Sequence, residues 1–357
     1  MVNSKWFVLL AFAVSANIYA QSPYINKVYE YRPAPGQFIN KMPLYEEGDT
    51  EETMTEKASA AIANDNQETI CLGAFGGYVV FGFDHSIVNV PGAYDLQIDG
   101  NAFYSTSNPN SSTKLGGSSE PGIVMVSRDV NGNGLPDDPW YELAGSEYYK
   151  PTTRHNYSMT YERPSADHVP TPKGKTFADT TFVHWTSSEG EDGFIMQNVF
   201  NLQNYYPNWL SEDEITFTGT CLPENAVDES GKETYYVLYC FPWGYVDNHP
   251  NGTTLSQFNI DWAVDADGNS VFLSRIDFVK VYTGINQQAG RLGETSTEIS
   301  GACDLHPDAT SDAEDGIQTL SNSPLKGKDI YNLSGQMVNR QMPRSLYITN
   351  GKKYFIK

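Results

Sequence analysis

The stretch SSEPGIVMVSRDVNGNGLPDDPWYELAGSEY (118–148) decides the reading of the fold. GIVMVS (122–127) and WYELA (140–144) are β-branched and aromatic runs of strand length. The segment between them is dominated by Asn, Asp, Gly and Pro, the residues that turns require. Outward from there the same alternation recurs. YVVFGF (78–83), YDLQI (94–98), EITFTG (214–219), YYVLYC (235–240) and IDFVKVYT (276–283) are all short runs bounded by turn formers. Thirty glycines, 20 prolines, 23 tyrosines and 17 phenylalanines in 357 residues carry that pattern along the chain. Strands do not alternate with helices, which argues against a parallel doubly wound sheet. No internal repeat is visible, which argues against a propeller or solenoid. The expected fold is therefore all-β: a jelly-roll-like antiparallel β-sandwich with one N-terminal helix and a short C-terminal β tail.

That helix is expected over 50–64. Asp49 and Glu52 form a capping pair, and Met54, Ala58, Ala61 and Ile62 recur at helical spacing. Before it, YRPAPGQF (31–38) excludes regular helix or central strand, so 21–48 is expected as an irregular segment across the surface. Residues 1–20 read as a signal peptide, with Lys5, the apolar run WFVLLAFAV (6–14) and a small residue at Ala20. The chain then divides into a β-sandwich ligand-binding domain (21–305), an acidic polar linker (306–325) and a β tail (326–357), where Asn350-Gly351 marks a hairpin.

With 44 acidic against 23 basic residues and a net charge of −21, the chain lacks the cationic surface that nucleic acid demands. No apolar run is long enough to span a bilayer. The four cysteines in an exported chain predict two disulfides, Cys221–Cys240 and Cys71–Cys303, with four free buried thiols as the alternative.

Within 129–140, Asp129, Asn131, Asn133, Leu135 (through its carbonyl) and Asp137 fall at the oxygen spacing of a calcium loop. Position 12 is Trp140 rather than Glu, so Asp138 or Glu142 would have to complete the set. The expected cofactor is a structural Ca2+, set against an ordinary Asn/Gly/Asp turn. A weaker echo, DADGN (265–269), reads as a hairpin turn. The six histidines form no metal or nucleophile motif. A glycosidase-type carboxylate pair, Glu120 with Glu142, is the enzymatic alternative. Aromatics in polar loops offer flat faces to a ligand, and Tyr104, Trp209, Trp243 and Tyr245 are the candidate binding residues.

Several runs resemble a known family. YRPAPGQF, LGAFGGYVVFGFDHSI (72–87), GNAFY (100–104), the 118–148 stretch, NIDWAVDADGN (259–269) and IDFVKVYTGINQQAGRLGETSTEI (276–299) resemble a family of exported Bacteroidetes cell-surface proteins. Members often carry a PKD-like domain and tend to be encoded beside outer-membrane uptake systems, including corrinoid acquisition loci. The tail IYNLSGQMV…LYITNGKKYFIK is similar to C-terminal sorting domains read by type IX secretion. The resemblance implies a cell-surface or extracellular protein, with the periplasm as the alternative. It further implies a non-catalytic binder of a small-molecule or glycan ligand, a corrinoid among them, working with an outer-membrane uptake complex. The rivals are a secreted hydrolase and a structural or adhesive surface component.

Overall fold

In the computed structural model the described residues are 21–105, 114–310, 318–320, 337, 345–349 and 352–356. The predicted signal segment and part of the predicted linker and tail lie outside them. All seven predicted strands are present, beginning with Tyr78–Val88, Gly122–Ser127 and Arg275–Thr283, which form the middle of a six-stranded antiparallel sheet. Its register stacks one apolar row across strands: Phe81 faces Val279, Val279 faces Val126, and Val79, Val281 and Val124 form the next row. All six side chains are fully buried. Each contributes about 1.5–3 kcal/mol of transfer free energy, so a polar residue in either row would break the sheet's inner face.

The opposite face carries Tyr78, Lys280 and Tyr282. There a second, four-stranded sheet packs, with Phe217 edge-on to Tyr78 and Gly219 beneath the Tyr282 ring. That sheet has the order Asp192–Asn198, Phe177–Ser187, Arg154–Glu162, Glu214–Cys221. Its inward residues Tyr157, Met159 and Tyr161 alternate with outward Ser158 and Thr160, whose hydroxyls pair with Thr218 and Thr216, each at 2.7 Å.

The jelly-roll expectation is corrected. Among the described residues the body consists of four antiparallel sheets of six, four, four and three strands plus one two-stranded pair, a propeller-like arrangement rather than a jelly-roll sandwich. Strands such as Phe103–Tyr104 and Gly116–Ser118 are too short to run through a continuous sandwich, and they join Tyr236–Tyr239 and Ala226–Asp228 in a separate four-stranded sheet. The sheets differ in strand number and order, so the arrangement leaves no sequence repeat.

Two further expectations change at the N-terminus. Lys27–Arg32 is a strand at the edge of the six-stranded sheet, ending where Pro33 removes the next backbone donor. The following segment is irregular but lies inside, with Ala34, Gln37 and Ile39 buried. The helix spans Glu51–Ile62 and buries Met54, Ala58, Ala61 and Ile62 as expected, but its capping box is Thr50 with Thr53. Asp49 accepts instead from Lys57 Nζ at 2.7 Å.

The disulfide expectation is corrected too, since all four cysteines are free thiols. Cys221 ends a strand of the four-stranded sheet, whereas Cys240 follows Tyr236–Tyr239, which pairs with Ala226–Asp228 and Gly116–Ser118. Cys71 pairs with the Glu298–Ile299 strand, and Cys303 with Leu96–Asp99. Each intended pair is divided between separate sheets. In the tail, Ser345–Thr349 and Lys352–Ile356 pair across the predicted Asn-Gly turn, and Gln318–Leu320, from the predicted linker, adds a parallel strand.

Candidate functional site

The predicted calcium residues gather on one exposed loop whose polar groups bond to each other. The Asp129 carboxylate accepts from the backbone N–H of Gly132, Asn133 and Gly134, at 2.6, 3.1 and 2.8 Å. Gly132 and Gly134 both adopt positive φ, which a side chain would resist. Asn131 and Asn133 each donate a side-chain amide to Asp137, holding that carboxyl below its ordinary value, and Asp138 accepts from Val130 N–H. The Leu135 side chain is exposed and its N–H is donated to Asn133. The loop is thus an oxygen-rich turn already closed by hydrogen bonds.

The four predicted binding aromatics do not form one site. Trp209 is core, stacked between Tyr31 and Tyr45, and Tyr245 is core, its hydroxyl accepting from Glu147 N–H. Both lie in loops, but they are buried there rather than presented to solvent. Tyr104 is part-exposed and bonds His249, while Trp243 is part-exposed against the Trp262 ring, 4.7 Å away.

The predicted carboxylate pair also separates. Glu142 stands in a pocket of about 210 Å³ beside Trp140, Tyr148 and Asp265, and accepts from Thr220 Oγ1 at 2.6 Å. Burial pushes its carboxyl up to about 7. Glu120 meets two partners absent from the sequence reading, Asp247 and Glu298, with the three carboxylates' oxygens within 4.8 Å of one another. Asp247 accepts from the N–H groups of Asn101, Ala102 and Glu298, and Glu298 from Ser296 Oγ. Burial first, and then the neighbouring carboxylates around Glu120 and Glu298, push the group upward. So close together and so buried, the three carboxyls favour retained protons.

A larger concavity of about 610 Å³ opens where the four-stranded sheet meets the Asn286–Glu294 hairpin. Its apolar wall is Trp185, Ile195 and Leu222, with Phe194 turned to the other face of the sheet against His184. Trp185 lies directly opposite Gly193 in the strand register, and its ring covers that glycine so closely that a Cβ would sit 2.5 Å from it. The polar wall comes from the hairpin. Gln288 and Glu294 form a cross-strand bridge, which directs both side chains to one side. Gln288 Oε1 accepts from Met196 N–H, yet its buried Nε2 has no partner. Glu294 Oε1 accepts from Gln37 N–H at 2.6 Å, yet its buried Oε2 has none. Burial pushes the Glu294 carboxyl up to about 8. By contrast the adjacent Gln287 is fully used, accepting from Asn225 and Ala226 and donating to Asn225 and Thr295. Arg154, on the rim, is neutralised by Glu189 and Glu191.

None of these cleft residues was a predicted site residue. Gln288 and Glu294 lie inside the 276–299 run that carried the family resemblance, which was their only sequence signal. Compared with known proteins, the chain matches no family model and no curated protein. Among the described residues no helix is long and apolar enough to cross a membrane.

Proposed function

We propose that this chain is an exported, non-catalytic binding protein that captures an extracellular nutrient ligand, a corrinoid or a glycan, in the Trp185–Glu294 cleft. One observation carries the reading: a ligand-sized cavity of about 610 Å³ with the Trp185 ring on one wall and the polar segment Asn286–Glu294 on the other. Concave sites with an apolar wall and a few polar groups are where small ligands bind. The signal-like first 20 residues and the sorting-like tail support delivery to the cell surface or the medium, beside an outer-membrane uptake complex. The 129–138 loop, with six oxygen-bearing positions, is proposed to take a structural Ca2+ through Asp129, Asn131, Asn133, Leu135, Asp137 and Asp138.

A second reading, a secreted carbohydrate hydrolase, is favoured by Glu142 alone, whose raised carboxyl shares a pocket with Asp265, held below its ordinary value. Calorimetry against cyanocobalamin and a glycan panel, with wild type and Trp185→Ala, tests the first reading. Binding lost in the variant is the expected result. Hydrolysis of any panel glycan that Glu142→Gln abolishes would overturn it. Neither binding nor hydrolysis would leave a structural or adhesive role.

A further inference from the structure

The strand Glu214–Cys221 ends the four-stranded sheet, so one side of its backbone has no strand partner among the described residues. The register tells which groups that open side carries. Thr218 lies opposite Ser158, whose N–H and C=O are both engaged by Ser188 on the far side of its strand. Thr218 and Ser158 therefore exchange no backbone bonds, and the N–H and C=O of Thr218 and of Thr216 point outward. Thr220 N–H points the same way and is already taken, donating to the Tyr282 hydroxyl at 2.8 Å.

Two adjoining cavities of about 200 and 210 Å³ lie along this edge and share Met125, Thr218 and Tyr282. The first reaches Lys280, whose Nζ sits 3.7 Å above the Tyr78 ring. Among the described residues that ammonium has no ion pair and no hydrogen bond. Glu30, the carboxylate that acts on it, accepts instead from the Tyr78 hydroxyl at 2.5 Å. Burial accordingly holds the amine below its ordinary value. The second cavity is acidic: Glu142 and Asp265 line it, and no lysine or arginine does. Lys280, Met125 and Glu142 stand in one cross-strand row, so two strand spacings, about 10 Å, separate the cationic and acidic ends. An extended chain covers that distance in three residues, at about 3.3 Å each. Direction is fixed as well. Phe217 meets Tyr78 at the cationic end, and Thr220 meets Glu142 at the acidic end. A peptide running antiparallel to Glu214–Cys221 thus brings its ammonium to the carboxylates and its carboxylate to Lys280. A saccharide offers neither charge, and a small anion would answer Lys280 alone.

We propose that this groove binds an unblocked peptide of about three residues as an added antiparallel strand, held by the backbone of Thr216 and Thr218, the Lys280 ammonium and the Glu142 and Asp265 carboxylates. The site shares no lining residue with the Trp185 cleft and takes a different class of ligand. It uses Glu142 as a charge, not as an acid catalyst.

The test titrates the full chain with trialanine and trivaline, and with their N-acetylated and C-amidated forms. At least one free tripeptide is expected to bind, and each blocked form of it to bind about tenfold more weakly. In Lys280→Met the free acid and the amide should bind alike, and in Glu142→Gln the free and acetylated forms should draw together. Thr218→Pro removes only an outward N–H, which an edge strand tolerates, and should abolish binding. Thermal melts identify any variant that fails to fold, and the comparison of free with blocked peptides on wild type then decides by itself. Equal affinity of wild type for free and blocked peptides would overturn the proposal, as would no heat from either tripeptide at millimolar concentration. Binding that survives Lys280→Met and Thr218→Pro but is lost in Trp185→Ala would place the peptide in the other cleft and likewise overturn it.

Discussion

Glu120, Asp247 and Glu298 are crowded together by the turn at 247 and the buried run Glu294–Thr295–Ser296–Thr297–Glu298, whose five residues are all under a tenth exposed. Burial raises each carboxyl, and near one another they resist full ionisation. The linkage has a definite sign. In the unfolded chain these groups titrate near 4, and in the folded chain higher, so the folded state binds more protons between those values. Their stabilisation is complete below the unfolded value and is lost as pH rises through neutrality and beyond. The melting temperature is therefore expected to fall between pH 6 and 9, and Glu120→Gln, which removes one titrating member, should flatten that fall. Calorimetric melts across the range decide it, and parallel slopes in wild type and variant would refute the coupling. In sequence these residues are indistinguishable from the other acids among 44, because only folding brings positions 120, 247 and 298 together.

At the scale of single elements, short-range chemistry was largely legible. The helix and its buried face follow from spacing; the cap lies one residue later, because Thr50 and Thr53 reciprocate while Lys57 engages Asp49, and the helix ends at Ile62 rather than 64. The DADGN turn is the expected hairpin corner, with Gly268 at positive φ and Asp265 capping it. Among the strands missed, Phe177–Ser187 and Asp192–Asn198 alternate weakly and carry polar residues on both faces, since one lies at a sheet edge and both border the cleft. The 129–138 loop belongs to this scale. If calcium occupies it, chelation should lower the melting temperature by a few degrees. A hundredfold excess of calcium over the dissociation constant adds about 2.7 kcal/mol. Asp129→Ala should abolish the response, while Asp265→Ala should retain it. A melt unmoved by chelator in metal-free protein would mean that the hydrogen bonds of Asp129 and Asp137 suffice.

For the whole molecule, the tail strands pair among themselves, Gln318–Leu320 and Ser345–Thr349 both against Lys352–Ile356. Deletion of 326–357 is expected to leave the body's melting temperature unchanged while blocking passage to the cell surface. Fractionation and a melt of the truncated chain check both halves. A truncated protein that still reaches the surface, or that does not fold, would refute the sorting role. Adding reductant should not shift the melt, in keeping with four unpaired thiols.

The amino-acid sequence by itself determined the all-β class, the single helix, the positions of seven strands, the turns and the tail hairpin. All of these arise from interactions within about ten residues, where periodicity and turn chemistry act directly. Only the tertiary structure decided which strands share a sheet, and with that the failure of both disulfides and the burial of Trp209 and Tyr245. It alone brought Glu294 and Gln288 to face Trp185 across a cavity. Sheet partnership depends on pairing between segments 50 to 200 residues apart, as between Tyr78–Val88 and Arg275–Thr283. Local residue preferences carry no record of so distant a partner, because what selects it is the joint burial of rows such as Phe81, Val279 and Val126.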